Sequence, residues 1–158
     1  MIQRSLAWAW LLLLQAVPAQ ATSRTYFIRT LHNAGVSVVE RSRCGDARNN
    51  VAAYYLDRNQ ICISTRLTPT MADLDEALTH EAVHAIQDCL AGQHNGRLTT
   101  LSASVGQTTR PFERWLAPGQ LAFIQSNYSP RDWDIEIEAY ALQNRPGDVV
   151  KLLSAACS

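Results

Sequence analysis

The chain has 158 residues, of which 47% are hydrophobic, 18% charged and 8% aromatic. This composition is typical of a globular domain and excludes a disordered chain, collagen-like repeats and a coiled coil. Fourteen Lys and Arg residues balance fourteen Asp and Glu residues, without a long basic run. We therefore expect no nucleic-acid partner.

The first 21 residues have the three parts of a secretory signal peptide. Arg4 supplies positive charge, residues 6–17 form an apolar run, and Ala19-Gln20-Ala21 resembles a cleavage site. The alternative is a transmembrane anchor, which needs ~20 apolar residues, and this run is shorter. We therefore predict a signal peptide over residues 1–21 and one exported domain over residues 22–158, periplasmic or secreted, without stable insertion in a membrane.

The first part of the exported domain predicts a small sheet. Residues 26–40 are rich in β-branched side chains around a turn at Asn33-Ala34-Gly35, which predicts a short helix or strand followed by a strand. Residues 42–50 are polar and predict a loop. Residues 52–56 and 61–64 predict two strands, joined as an edge hairpin by a turn at residues 57–60.

A long helix is predicted over residues 70–91. Thr70 and Asp73 resemble a capping box with Asp in place of the usual Glu, and Gly92 is a typical helix stop. The apolar residues between these ends share one broad side, which predicts a core position for the helix: Leu74, Leu78, Ala82, Ala85, Ile86 and Cys89.

Shorter helices are predicted in the last third of the chain. Residues 93–106 predict little regular structure, and residues 112–126 have helical spacing interrupted by Pro118-Gly119. A clearer helix covers residues 132–144 and ends at Pro146-Gly147, after which Asp148 predicts the cap of a last helix. The sequence therefore predicts an α+β fold, in which a small twisted sheet packs on the long helix and a helical C-terminal lobe follows.

The exported domain contains four cysteines. An even number in an exported chain is typical of disulfides, although four cysteines allow three connectivities. We favour Cys44 with Cys62, which closes a short loop, and Cys89 with Cys157, which ties the C-terminal region to the middle of the chain. Zinc ligation is the rival use of cysteine, but the chain has no C-x-x-C pair.

The long helix contains the segment His80-Glu81-Ala82-Val83-His84. Histidines four residues apart project from one helical face, and both imidazoles can reach one zinc ion at ~2.0–2.1 Å. Glu81 is turned towards the side where a water would be activated, so it is the candidate general base. The alternative is a pair of ordinary core histidines, but burying these polar groups among apolar residues is costly without a partner. We predict one zinc ion per chain.

A catalytic zinc site needs a third protein ligand. A third histidine on the same helix would require glycine at Gln87 and histidine at Leu90, so the four carboxylates of residues 132–142 are the remaining source. Glu138 shares its helix face with apolar residues, where a metal would compensate its charge. Glu136 shares its face with polar residues. We therefore predict Glu138 as the third ligand and keep Glu136 in reserve.

Two aspartates lie one helical turn from these candidates. Asp88 follows His84, and Asp134 precedes Glu138. Each either accepts a hydrogen bond from a ligand histidine, as outer partners of metal ligands do, or lies at a solvated helix position.

These features resemble a zincin metallopeptidase of the gluzincin type. The resemblance rests on the hairpin at residues 54–64, the helix segment Thr79–Gln87 and the later segment Glu138-Ala139-Tyr140-Ala141. It implies a zincin-like fold, zinc ligation by the two motif histidines and Glu138, and a catalytic Glu81. It also implies that the sheet edge at residues 60–64 binds substrate as an added strand. The residue that stabilises the oxyanion is not identified, and the candidates are Tyr128, Tyr140, His94 and Arg131.

The sequence thus predicts an exported zinc metallopeptidase, an endopeptidase that hydrolyses peptide bonds in a peptide or protein substrate with Glu81 as general base. The alternative is a zinc-stabilised binding protein or degenerate peptidase without turnover. A disulfide-bonded secreted domain without metal is a third hypothesis.

Overall fold

The computed structural model describes residues 23–45, 51–67, 70–93, 95–104 and 106–157. Within these ranges the chain forms a mixed α+β structure with seven helices and three strands. The helices are α1 (Arg24–Asn33), α2 (Met71–Ala91), α3 (Leu101–Ser104), α4 (Arg110–Glu113), α5 (Gln120–Asn127), α6 (Trp133–Leu142) and α7 (Pro146–Ala156). The strands are β1 (Ser37–Arg41), β2 (Ala52–Tyr55) and β3 (Gln60–Ser64). The predicted signal peptide at residues 1–21 lies outside the described residues.

The predicted hairpin is present, since β2 and β3 pair antiparallel with Tyr55 opposite Gln60. The order of the strands in the sheet is β1-β3-β2, and β1 pairs with β3 in parallel. β3 is therefore the central strand, and the expectation that residues 60–64 form a substrate-binding edge is wrong. A strand paired on both sides has no row of unpaired backbone groups to offer to a peptide. The edges of the described sheet are β1 and β2.

The long helix α2 begins and ends where the sequence predicts. The Thr70 hydroxyl accepts a hydrogen bond from the Asp73 N–H at 3.1 Å, and the Asp73 carboxylate accepts one from the Thr70 N–H at 3.2 Å. This is a capping box with Asp at its third position. At the other end, Gly92 has a φ of +96°, in the left-handed region that favours glycine.

α2 lies at the centre of the fold, in contact with β2 and β3 of the sheet and with α6 and α7. The largest fully buried side chains come from β3 and five helices, and they are Leu31, Ile61, Ile63, Leu78, Ile86, Ile124, Leu142 and Leu153. Burying one side chain of this size is worth ~1.5–3 kcal/mol. This packing holds α2 and α6, the two helices that carry the candidate site, in a fixed relation.

The helices after α2 differ from the prediction in two places. α3 forms within the segment 93–106, for which little regular structure was predicted. α7 begins at Pro146, which was predicted to end the preceding helix. Proline is tolerated at the first position of a helix because its missing N–H would have no partner there. Asp148 is therefore not the cap, since it lies in the first turn of α7 and pairs with Arg145 at 2.6 Å.

Both predicted disulfides are confirmed. Cys44 is bonded to Cys62 with a Cα–Cα distance of 5.7 Å, and Cys89 is bonded to Cys157 with a Cα–Cα distance of 5.3 Å. Two disulfides are typical of a protein in an oxidising, extracellular environment. Among the described residues the structure has no membrane-spanning helix.

Candidate metal site

The side chains of His80, His84 and Glu136 meet between α2 and α6. Nε2 of His80 lies 3.4 Å from Oε2 of Glu136, and Nε2 of His84 lies 3.7 Å from Oε1 of the same carboxylate. One ligand atom of each residue lies within 4.8 Å of the others. All three side chains are only 11–12% exposed. The structure therefore brings two imidazoles and one carboxylate together in a nearly enclosed site.

These three side chains fit a metal ion. With metal–ligand bonds of ~2.0–2.1 Å, two ligands at tetrahedral positions are about 3.4 Å apart, close to the 3.4 and 3.7 Å separations of Glu136 from the histidines. Oε2 of Glu136 is buried and, within the described residues, has no hydrogen-bond partner. It lies at ion-pair distance from Nε2 of His80, at 3.4 Å, but a buried carboxylate oxygen that accepts no hydrogen bond is still costly. A cation between Glu136 and the histidines would remove that cost, and two imidazoles with a carboxylate are a donor set that zinc accepts.

Glu138, the predicted third ligand, is not part of this cluster. Its carboxylate is fully buried and accepts four hydrogen bonds at 2.6–3.1 Å, from the N–H groups of Leu101 and Ser102, the Ser102 hydroxyl and the Gln87 amide. Burial raises the pKa of Glu138, and these hydrogen bonds oppose that shift. The choice of Glu138 is therefore corrected. The reserve candidate Glu136 faces the histidines, whereas Glu138 satisfies the first N–H groups of α3.

His84 is oriented by Gln87, a residue for which the sequence predicted no role at the site. Nδ1 of His84 lies 2.8 Å from Oε1 of Gln87. Nε2 of Gln87 donates hydrogen bonds to Glu138 and to the carbonyl of Ile135, both at 3.1 Å, so the amide oxygen is fixed towards the histidine. Nδ1 of His84 therefore carries the proton, and Nε2 is left facing Glu136.

Gln143 has the same relation to His80. Nδ1 of His80 lies 3.4 Å from Oε1 of Gln143, and Nε2 of Gln143 donates to Glu76 at 2.6 Å. Because glutamine is common at solvated positions of helices, its residue type does not indicate that it bonds to a candidate metal ligand. The spacing does indicate a contact in one case, since Gln87 lies three residues after His84 and shares its helix face.

The two aspartates considered as partners of the histidines have other partners. Asp134 accepts a hydrogen bond from the Thr109 hydroxyl at 2.8 Å, and Asp88 accepts one from the Tyr54 hydroxyl at 2.7 Å. Asp88 is fully buried, so it is not a solvated helix position. The glutamine amides, and not these aspartates, accept the hydrogen bonds of the two histidines.

The charges around the cluster favour an ion pair between His80 and Glu136. Burial lowers the pKa of His80, but the nearby Glu136 and Glu81 together raise it by more, so the pKa lies above its usual value. Burial raises the pKa of Glu136, but His80, His84 and the Tyr128 hydroxyl together lower it by more, so the pKa lies below its usual value. The site therefore attracts positive charge.

Two tyrosines, among the candidates for oxyanion stabilisation, lie beside the cluster. The ring of Tyr140 contacts the ring of His80 with centroids 4.7 Å apart, and the hydroxyls of Tyr128 and Tyr140 are 3.2 Å apart. Burial and the charges of Glu136 and Glu81 raise the pKa of both tyrosines. Both hydroxyls therefore keep their protons at neutral pH and can donate hydrogen bonds.

The other two candidates for oxyanion stabilisation are Arg131 and His94. Arg131 is 85% exposed and pairs with Asp132 at 3.5 Å. His94 lies outside the described residues. Glu81 is buried, at 9% exposure, and its negative charge raises the pKa of His80 and of both tyrosines.

In comparisons with known proteins, no protein-family model matches the chain, and no curated protein or solved structure matches it. The resemblance to gluzincins therefore rests on the His80–His84 motif, since the structure places neither Glu138 in the cluster nor residues 60–64 at a sheet edge. The zincin-like fold remains a prediction.

Proposed function

We propose that the protein is an exported zinc-dependent metallopeptidase. The observation that carries this proposal is the cluster of His80, His84 and Glu136, with Glu81 next to His80 in the same buried helix. Zinc sites that only stabilise a fold usually have four protein ligands. The described residues bring together three, the number typical of catalytic zinc. The two disulfides support export, and with it removal of residues 1–21.

In this proposal each polar group of the site has a task. Zinc held by the three ligands supplies Lewis-acid chemistry and makes a nearby water more acidic. The Glu81 carboxylate accepts a proton from the attacking water and delivers it to the nitrogen of the leaving amine. A tyrosine hydroxyl, from Tyr128 or Tyr140, donates a hydrogen bond to the substrate oxygen as that oxygen gains negative charge.

A peptide substrate is proposed to add to the sheet at β2. This strand is the edge of the described sheet that lies against the motif helix, since Tyr54 of β2 bonds to Asp88 of α2 at 2.7 Å. An extended peptide on such an edge gains backbone hydrogen bonds with little dependence on its sequence. The substrate class is therefore a peptide or an extended segment of a protein.

Metal content and turnover test the proposal. We expect about one zinc per chain in the exported form. The Glu81→Gln variant should keep its zinc and its fold, and its cleavage of a peptide library should fall by ~10²–10⁴-fold. The matched control is Glu113→Gln, which alters an exposed glutamate on α4, and a chelator should abolish cleavage by the parent protein.

Three results would contradict parts of the proposal. A Glu81→Gln protein as active as its parent would refute the assignment of the general base. Zinc without any turnover would favour the zinc-stabilised binding protein. A protein that holds no zinc after reconstitution would be a disulfide-bonded domain without metal.

A further inference from the structure

A chain of three buried polar side chains runs from α6 to the candidate metal site. Glu138 accepts a hydrogen bond from Nε2 of Gln87, and Oε1 of Gln87 accepts one from Nδ1 of His84. We infer that Gln87 is a positioning residue that fixes the ring and the tautomer of His84, and that Glu138 is its anchor. This inference rests on the proposed function only in taking His84 as a metal ligand.

The direction of every hydrogen bond in this chain is determined. Glu138 also accepts bonds from the N–H groups of Leu101 and Ser102, at 2.7 and 2.8 Å, and these backbone groups can only donate. The Ile135 carbonyl can only accept, and it lies 3.1 Å from the same amide atom that faces Glu138. The amide of Gln87 must therefore point its nitrogen at Glu138 and its oxygen at His84. A flipped amide would set its oxygen against the Glu138 carboxylate and against the Ile135 carbonyl, which are both acceptors.

The amide fixes the histidine without adding a charge beside it. In many metal sites a carboxylate accepts this hydrogen bond and makes the histidine a more basic ligand. Here Gln87 separates His84 from the carboxylate of Glu138 by one neutral group. Gln87 is itself fully buried.

The corresponding chain at His80 is weaker. Gln143 lies 3.4 Å from Nδ1 of His80, compared with 2.8 Å for Gln87 and His84. The chain at His80 ends at Glu76, which is exposed. A variant at Gln143 should therefore affect the site less than the same variant at Gln87.

Zinc affinity and the cobalt spectrum of the full exported chain test the inference. Gln87→Met removes the amide with little change in volume, and it should weaken zinc binding by ~10–100-fold, the usual effect of losing such a partner. It should also shift the visible absorption of the Co²⁺-loaded protein. Gln143→Met should weaken zinc binding less. The control Gln60→Met removes a glutamine that bonds only to Ser37 among the described side chains, and zinc affinity should not change.

The variant Gln87→Glu separates positioning from a purely structural role. Glutamate keeps an oxygen that accepts from His84, but its second carboxylate oxygen would lie about where Nε2 of Gln87 lies, 3.1 Å from the Glu138 carboxylate. The metal-free Gln87→Glu protein should therefore melt at a lower temperature than Gln87→Met. Its zinc affinity should nevertheless stay within about tenfold of the parent and above that of Gln87→Met.

The result that would overturn the inference is zinc affinity that follows the melting temperature of the metal-free variants. An unchanged zinc affinity and Co²⁺ spectrum in Gln87→Met would also overturn it. If the Gln87 variants do not fold, the tautomer of His84 in the metal-free parent decides, since a proton on Nε2 rather than Nδ1, measured by ¹⁵N NMR, would overturn the inference. A parent protein that binds zinc but cleaves no peptide would refute the proposed function and leave this inference standing.

Discussion

Two glutamates of α6, only two residues apart, should respond in opposite ways to the same substitution. Glu136→Gln and Glu138→Gln both replace one carboxylate oxygen with an NH₂ group. Glu138 accepts four hydrogen bonds, whereas Oε2 of Glu136 is buried without a hydrogen-bond partner among the described residues. Glu138→Gln should therefore destabilise the metal-free protein, and Glu136→Gln should remove the metal.

The loss of stability in Glu138→Gln can be worked out from the groups that donate hydrogen bonds to Glu138. Each oxygen of Glu138 faces two donors, namely the N–H and hydroxyl of Ser102 at Oε1 and the Leu101 N–H and Gln87 amide at Oε2. An NH₂ group in either position leaves at least one backbone or amide N–H without an acceptor, at ~1–3 kcal/mol. The remaining bonds also lose the added strength of a charged acceptor, which is roughly 1 kcal/mol each. These contributions sum to ~3–5 kcal/mol, and the variant is also relieved of the cost of burying a charge, which raises the pKa of Glu138. We therefore expect a net loss of about 3 kcal/mol in the free energy of unfolding.

The free energy of unfolding of the metal-free Glu136→Gln protein should change by less than ~1 kcal/mol at a pH above the raised pKa of His80, because the ion pair is then absent and the buried Oε2 loses no hydrogen bond. Its zinc affinity should fall by more than ~100-fold, beyond the ~10–100-fold effect of an outer partner. Glu138→Gln should weaken zinc binding only within that smaller range, through Gln87.

Urea unfolding of both metal-stripped variants, followed by zinc competition against a chromophoric chelator, measures these effects. Glu136 is not the third ligand if Glu138→Gln leaves stability intact and abolishes zinc binding while Glu136→Gln still binds zinc. Glu138 would then be the third ligand, as the sequence alone predicted.

Two further predictions concern the disulfides and pH. Replacing Cys89 and Cys157 with alanine opens a loop with a sequence separation of 68 residues, and it should cost about 4 kcal/mol of unfolding free energy in the chain-entropy model. The Cys44–Cys62 pair, with a separation of 18, should cost about 3 kcal/mol, and the opposite ranking in urea unfolding would contradict that model. Because the pKa of His80 is raised, protonated His80 stabilises the metal-free fold at low pH, and this stabilisation is lost as pH rises through that pKa. Because the pKa of Glu136 is lowered, its carboxylate stabilises the fold at higher pH, and this stabilisation is lost as pH falls through that pKa. Metal-free stability from this pair should therefore be greatest between the two pKa values, and because zinc must displace the His80 proton, the rise in Tm on adding zinc should grow from about pH 5 to pH 9. A zinc-induced rise in Tm that shrinks as pH increases would contradict this assignment.

The features that the sequence predicted correctly have local causes. The capping box at Thr70, the stop at Gly92 and the turn between β2 and β3 each depend on a few consecutive residues. The two motif histidines are also a local feature, since their spacing alone places them on one helix face. Their contact with a carboxylate of a later helix was correctly expected, although the carboxylate was misassigned.

The choice between Glu136 and Glu138 could not be made locally. Apolar neighbours showed that Glu138 is buried and needs compensation, but either a metal or N–H groups can compensate a carboxylate. The N–H groups come from Leu101 and Ser102, which are 37 and 36 residues away in sequence. Helical periodicity gives the faces of α6 but not its rotation against α2.

The central position of β3 also depends on a distant partner, its parallel neighbour β1. One local signal was present in Ile61-Cys62-Ile63, where an uninterrupted apolar run replaces the alternation of a half-exposed strand. Such runs are typical of strands covered on both faces. The hairpin pattern alone does not distinguish an edge strand from a central one.

The order of the strands determines when the sheet can assemble. β1 and β2 come first in the chain but are not neighbours in the sheet, and β3 follows both and joins them. No strand pair of the described sheet can therefore form before residues 60–64 take their place. The same strand carries Cys62, the partner of Cys44. A free thiol at Cys62 thus marks a molecule in which this covalent closure of the sheet region is missing, and thiol counting gives a chemical measure of how completely a preparation has matured.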